Sequence, residues 1–121
     1  MFTLKKEFKF EAAHKLPHHD GKCQRLHGHS WVMRVVVQGE KLIFYGPKQG
    51  MLMDFGTISK EVKSFVEERL DHHYLNETTG LENPTSEELA RWIYERLKDS
   101  LPSLVAIEID ETCTSSCIYQ P

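Results

Sequence analysis

Six of the seven histidines in this sequence come in close groups, His18-His19, His27-Gly28-His29 and His72-His73, and the seventh, His14, stands just upstream. In an extended strand, side chains two apart leave the same face, so His27 and His29 present two imidazoles side by side. His14 falls on the apolar parity of an alternating run of its own. If both runs turn their apolar parities toward one cover, three rings converge at one end of a sheet. Three neutral imidazoles with a fourth position left to water or substrate make a catalytic zinc site. Any one of these histidines could instead be an ordinary strand residue satisfied by hydrogen bonds, but a His-x-His pair with a third ring on matching parity favours the metal.

Cys23, four residues before His27, allows two arrangements. As a fourth ligand it would close the site into a purely structural one; left free, it would be a thiol beside an open metal. The Asp71-His72 pair argues for the second, because a carboxylate that fixes an imidazole in one tautomer raises its basicity toward a nearby proton. The same residues also suit a helix C-terminus, where the dipole favours histidine. Glu111 continues the buried parity of Val105, Ile107 and Ile109, a costly place for a carboxylate unless a ligand offers it donors. If the strand stops at Asp110, the Glu111 side chain simply reaches water. Cys113 and Cys117 have neither redox nor zinc-ribbon spacing and are expected to pack as small apolar groups.

The elements that must position these groups follow from periodicity. Phe2, Leu4, Phe8, Phe10, Ala12 and His14 alternate with Thr3, Lys5, Glu7, Lys9 and Glu11, which predicts a half-buried strand over 2–14. After a polar loop, His27, His29, Trp31, Met33, Val35 and Val37 point one way and Ser30, Arg34 and Gln38 the other, a second strand. Gly46-Pro47 and Gly50 are turn signals that predict a hairpin extension over 42–45 and a third strand over 51–55. The period then becomes helical through Ile58, Val62, Phe65, Val66 and Leu70. Thr85-Ser86-Glu87-Glu88 has the form of a capping box, opening a second helix from Thr85 to about Asp99. Val105, Ile107 and Ile109 alternate in a last strand. This order predicts an α+β fold, an antiparallel four-stranded sheet with two helices on one face. Its open outer strands would pair with neighbouring copies.

Composition sets the outer limits. The 121 residues, 40% apolar and 27% charged, predict a single domain over 1–121. Fifteen Lys and Arg against eighteen Asp and Glu, with no basic block, leave nucleic acid without a surface to bind. No apolar stretch is long enough for a membrane span, and Lys5, Lys6, Glu7 and Lys9 stand where a secretory signal needs apolar residues, so a cytoplasmic chain is expected. Three cysteines, an odd number in such a chain, argue against a disulfide framework and for free thiols, metal ligands or a nucleophile.

The segments Phe10-Glu11-Ala12-Ala13-His14, Cys23-Gln24-Arg25-Leu26-His27-Gly28-His29, Leu70-Asp71-His72-His73-Tyr74-Leu75-Asn76, Asn83-Pro84-Thr85-Ser86-Glu87 and Glu111-Thr112-Cys113 occur in this order. Together they resemble the 6-pyruvoyl-tetrahydropterin synthase superfamily from about Phe8 to Tyr119. The three residues between Cys23 and His27 make the likeness closest to its bacterial 6-carboxy-5,6,7,8-tetrahydropterin synthase branch, which serves queuosine biosynthesis. The resemblance implies that His14, His27 and His29 hold one zinc per subunit, that Cys23 is a proton-transferring thiol, and that Asp71 and His72 complete its relay. It implies that Glu111 anchors the pterin and that Thr85, Ser86 and Glu87 line its pocket, although the capping box explains those three equally well. The implied architecture is the tunnelling fold, in which sheets join around a barrel and two rings stack into a homohexamer, a dimer of trimers with active sites between subunits. The implied reaction is a zinc-dependent carbon-carbon lysis of a pterin triphosphate, 7,8-dihydroneopterin triphosphate, to 6-carboxytetrahydropterin, acetaldehyde and triphosphate. Lys15, Lys22 and Arg25 are the local cations a triphosphate would meet. Two rivals share these residues: the same fold making the pyruvoyl compound or an epimer, and a non-catalytic zinc or pterin-binding protein closed by Cys23.

Overall fold

The computed structural model describes residues 1–121. Two long strands, β1 (Phe2–His14) and β2 (His27–Gly39), pair antiparallel from Phe2 opposite Gly39 to His14 opposite His27. The alternation predicted for them holds, with Phe10, Ala12, His14, Trp31, Met33, Val35 and Val37 all buried on one face. Above that face lie α1 (Phe55–Arg69), which buries Ile58, Val62 and Val66, and α3 (Ser86–Leu97), which buries Leu89, Ile93 and Leu97. Each fully buried side chain of this size contributes about 1.5–3 kcal/mol. The helices therefore hold one face of the sheet against one continuous core and leave its other face without a helix.

The sheet has five strands rather than the expected four, with His73–Tyr74 (β3), Leu104–Thr112 (β4) and Ser115–Tyr119 (β5) joining the long pair in the order β3-β1-β2-β4-β5, and it is mixed rather than wholly antiparallel. β3 (His73–Tyr74) is a two-residue strand that pairs parallel to β1 at Ala12 and Ala13. It is too short to show a period in sequence. β4 (Leu104–Thr112) pairs antiparallel with β2, and β5 (Ser115–Tyr119) turns back along β4. Only Cys117 and Tyr119 of β5 are half-buried, so its alternation is thin. Cys117 packs on the core as expected, whereas Cys113, on the turn between β4 and β5, is exposed.

The strand expected over 51–55 does not form. Residues 40–51 are exposed, and although Ile43 N–H reaches the Met51 carbonyl (2.9 Å) and Gly50 N–H the Ile43 carbonyl (2.8 Å), these two bonds do not extend into a ladder. Gly46 and Gly50, both at φ 86°, close this excursion. Phe55 belongs to α1 instead, because Asp54 accepts the Gly56 N–H (2.8 Å) and caps the helix there. At α3, Thr85 is the N-cap and accepts the Glu88 N–H (3.1 Å), half of the predicted box. The reciprocal half is missing, since Thr85 N–H bonds the Asn83 carbonyl and the Glu88 carboxylate turns to Arg91. A short helix, α2 (Leu75–Thr78), and a single 3-10 turn, Lys22–Gln24, complete the chain. No helix is long and apolar enough to cross a membrane.

Candidate metal centre

The last rung of the β1–β2 ladder sets His14 opposite His27, and His29 follows two residues on along β2. Their ring centroids lie 4.5 Å (His14 to His27), 5.2 Å (His14 to His29) and 4.9 Å (His27 to His29) apart, with the Trp31 indole closing the inner side at 5.0 Å from His14. Two of the tautomers are set by main chain. His14 Nδ1–H donates to the Pro84 carbonyl (2.9 Å), and His27 Nδ1–H to the Arg25 carbonyl (2.7 Å). Nε2 of each ring is thereby left as an unprotonated lone pair. Burial holds the His14 and His29 imidazoles below their ordinary range, which keeps them neutral.

Nε2 of His14, His27 and His29 are all buried, and none of them has a hydrogen-bond partner. A Glu111 oxygen stands 3.3 Å from His14 Nε2 and 3.5 Å from His29 Nε2, and the four ligand atoms all lie within 4.8 Å of one another. Three converging lone pairs without donors are costly unless an ion takes them up. The donor set, three neutral imidazoles and a carboxylate, suits a divalent metal.

Glu111 arrives by a device the sequence did not reveal. Asp110 pairs with Ser116 and Thr112 with Ser115, so Glu111 is the extra residue of a β-bulge in β4. Bulges kink a strand and re-aim a side chain. The carboxylate keeps the inward parity expected of it but is half-exposed rather than buried, at the mouth of the cluster.

Asp71 and His72 lie just past α1, beyond its C-cap at Leu70. Asp71 Oδ1 accepts the Glu11 N–H (2.9 Å) while His72 N–H donates to the Glu11 carbonyl (2.6 Å), so the pair is clamped on the edge of β1. The same carboxylate oxygen is 3.0 Å from His72 Nδ1. These bonds, the Glu11 N–H foremost, hold the Asp71 carboxyl below its ordinary range. The clamp turns the His72 backbone to φ 60°, the left-handed region, and leaves its ring exposed. His72 shares an open groove of about 540 Å³ with His29, Gly28, Glu11, Ser30 and Tyr74.

Cys23 is not part of either constellation. It sits half-buried in the 3-10 turn, where its carbonyl accepts the Leu16 N–H, and it is absent both from the metal cluster and from the His72 groove. The carboxylate that approaches the histidines is Glu111, not this thiol. Thr85 spends its hydroxyl on the helix cap, and Ser86 Oγ donates to Glu87 (2.7 Å). Their link to the centre runs through Pro84, whose carbonyl holds His14.

A half-covered sheet with a histidine cluster at one end of its central hairpin defines an α+β protein whose histidines and Glu111 could hold a metal ion. Comparison with known proteins gives the family. The 6-pyruvoyl tetrahydropterin synthase family profile matches residues 3–121. The chain is 49% identical over 120 residues to the 6-carboxy-5,6,7,8-tetrahydropterin synthase of Synechocystis sp., covering 98% of this chain and 93% of that one. It is 39% identical over 99 residues to the dihydroneopterin monophosphate aldolase of Pyrococcus furiosus, covering 82% and 77%. The Caenorhabditis elegans 6-pyruvoyl tetrahydropterin synthase structure superposes with a TM-score of 0.82 at 30% identity, over 99% of this chain and 95% of that one. The chain belongs to the 6-pyruvoyl tetrahydropterin synthase family, as its motifs led one to expect, and is an enzyme.

Proposed function

We propose that the protein is a 6-carboxy-5,6,7,8-tetrahydropterin synthase that uses one zinc per subunit to convert 7,8-dihydroneopterin triphosphate and water into 6-carboxytetrahydropterin, acetaldehyde and triphosphate. The observation that carries this reading is the convergence of three unpartnered Nε2 atoms beside a carboxylate. It is supported by the high identity to a synthase of that name. Zinc bound there supplies Lewis acidity that lowers the pKa of the substrate's side-chain hydroxyls.

The chain's own residues do the rest. Glu111, ionised, accepts hydrogen bonds from the pterin ring N–H and exocyclic amine, fixing the ring at the mouth of the cluster. Pro84 carries Thr85, Ser86 and Glu87 to the pterin side of the pocket. Cys23 as thiolate and His72 as base move protons on opposite sides of the substrate's side chain. Asp71 holds His72 Nδ1–H, which leaves Nε2 to take the proton. Scission is then a retro-aldol-like collapse. Because Cys23 and His72 share no groove within one chain, the reading places the complete site between subunits of a homohexamer, a dimer of trimers, in the cytoplasm.

The test is an assay for acetaldehyde, with the pterin product identified by mass, on zinc-loaded protein given 7,8-dihydroneopterin triphosphate. The relative from Pyrococcus makes 7,8-dihydroneopterin monophosphate the second substrate to offer. A pyruvoyl or epimeric product, or cleavage of the monophosphate alone, would reassign the reaction. Intact substrate would leave a metal and pterin-binding protein without turnover.

A further inference from the structure

We infer that Arg34 is a positioning residue for Glu111: its guanidinium forks Asp110 on the face without helices and so fixes the bulge that aims the Glu111 carboxylate at the histidines on the other face. The assignment rests on the reading above where Glu111 is taken to anchor the pterin.

The main chain does not hold Glu111 by itself. β2 pairs with β4 from Val37 opposite Leu104 to Val32 opposite Asp110, and no further. On the other side β5 meets Asp110 with Ser116 and Thr112 with Ser115, passing over Glu111. Glu111 thus has a paired residue on neither neighbouring strand, and Asp110, just before it, is the last residue of β4 paired on both sides. Whatever holds Asp110 sets where the bulge begins. Successive side chains of a strand leave opposite faces, so Asp110 projects away from the core while Glu111 reaches the cluster.

Arg34 supplies that hold. Nη1 donates to Asp110 Oδ1 (3.2 Å) and Nη2 to Oδ2 (2.9 Å), two parallel bonds that fix a carboxylate in direction as well as in place. The residue directly across from Arg34 is Glu108, and Asp110 lies two further on, a diagonal that a long side chain spans. Glu108 is already taken by the Lys5 ammonium (2.9 Å). Nε of the same guanidinium stands 3.3 Å from Glu7 Oε1 on β1, so the brace crosses β1, β2 and β4. Both members of the fork are partly buried, which spares it much of the screening that weakens an exposed ion pair. Without it the bulge can turn Glu111, already half-exposed, further into solvent.

The experiment titrates 6-carboxytetrahydropterin calorimetrically into the zinc-loaded full chain and follows amide hydrogen exchange of the same protein without pterin. Arg34→Met and Asp110→Asn should each weaken binding about tenfold, and Glu111→Gln about thirtyfold. Lys5→Met, which breaks the other cross-strand pair of this face, should stay within about twofold of wild type. Adding Arg34→Met to Glu111→Gln should cost no more than about a further twofold, because a brace that acts only through Glu111 has nothing left to position. Arg34→Lys keeps the charge but meets one oxygen at a time, and should recover part of the loss. Exchange in Arg34→Met should quicken over residues 110–115 while 104–108 keep the wild-type rate, with zinc content unchanged. Wild-type exchange at the bulge, or exchange that quickens along all of β4, overturns the inference. So does a Glu111→Gln loss that Arg34→Met does not share or that multiplies in the double variant. If Glu111→Gln binds the pterin as wild type does while exchange in Arg34→Met quickens at the bulge alone, the brace stands and the pterin-anchoring role of Glu111 is retired.

Discussion

His14 is bound at one nitrogen and bare at the other, and that asymmetry suits it to the ligand role proposed for it. The Pro84 carbonyl fixes the ring, as the hydrogen-bonded partners of metal-bound histidines commonly do. His29 lacks such a bond and faces the His72 groove, so it is the ligand to test. His29→Ala should lose most bound zinc by elemental analysis while the metal-free variant melts within a few degrees of metal-free wild type, because the core beneath begins at Trp31. Full zinc occupancy in that variant would sink the ligand assignment. Glu111 poses a sharper choice, since its oxygen is within reach of two ring nitrogens as well as of a substrate. Glu111→Gln should retain zinc but lose about 2 kcal/mol or more of affinity for 6-carboxytetrahydropterin in a calorimetric titration, the scale of a charged bond replaced by facing donors. Loss of zinc instead would make Glu111 the fourth ligand. The three histidines could be read from strand parity alone. The approach of Glu111 to them could not, because it depends on a one-residue bulge between β4 and β5 that no periodicity signals.

At the scale of elements, amphipathic order was legible and edge structure was not. β1, β2, α1 and α3 each bury one face over many residues, so their periods stand out, and β4 keeps its apolar alternation in sequence although Ala106 to Ile109 are all buried. β3 has two residues, and the excursion between Gly39 and Asp54 has turn residues on either side of apolar ones yet no sheet to join. β3 nevertheless orients the dyad, and its attachment has a pH signature. The folded Asp71 carboxyl lies below its ordinary value of about 3.9, so the unfolded chain binds the proton more readily than the folded one. The stabilisation is fully present above about pH 4 and disappears as pH falls through the lower, folded value. Urea unfolding should therefore show Asp71→Asn less stable than wild type at pH 6, with the difference shrinking below pH 4. A gap that stays constant down to pH 3 would mean that the Asp71 charge does not secure this edge. The N-cap offers a simpler check: Thr85→Ala should cost about 1 kcal/mol in the same measurement.

The whole molecule leaves two sheet edges and one sheet face uncovered. From Phe2 to Phe10 β1 has no strand on its outer side, since β3 pairs only with Ala12 and Ala13, and β5 closes the opposite edge with none. The bare face carries a grid of charges instead, Lys5 to Glu108 and Arg34 to Asp110 and Glu7, which suits a wet interior better than a dry contact. A ring of such sheets would satisfy both edges at once, and native mass measurement should find six chains. Should Cys23 and His72 serve one site from different chains, co-expressing Cys23→Ala with His72→Ala should restore a fraction of the activity that each variant lacks alone. Failure to complement in mixed hexamers would put both residues in the same subunit's site.

All three imidazoles of the cluster belong to the β1–β2 hairpin, within the stretch from His14 to His29, so the proposed histidine ligands are local in sequence. A chain that had lost its helices but kept this hairpin would hold these rings within reach of one another. Any affinity that such a state has for the ion subtracts from the stabilisation that the ion gives the native protein, so metal should raise the melting temperature by less than its native affinity implies. The same locality bears on biosynthesis, where the N-terminal hairpin leaves the ribosome long before the last strand. If the hairpin takes up the proposed ion while the chain is nascent, Glu111 reaches a centre that already holds it.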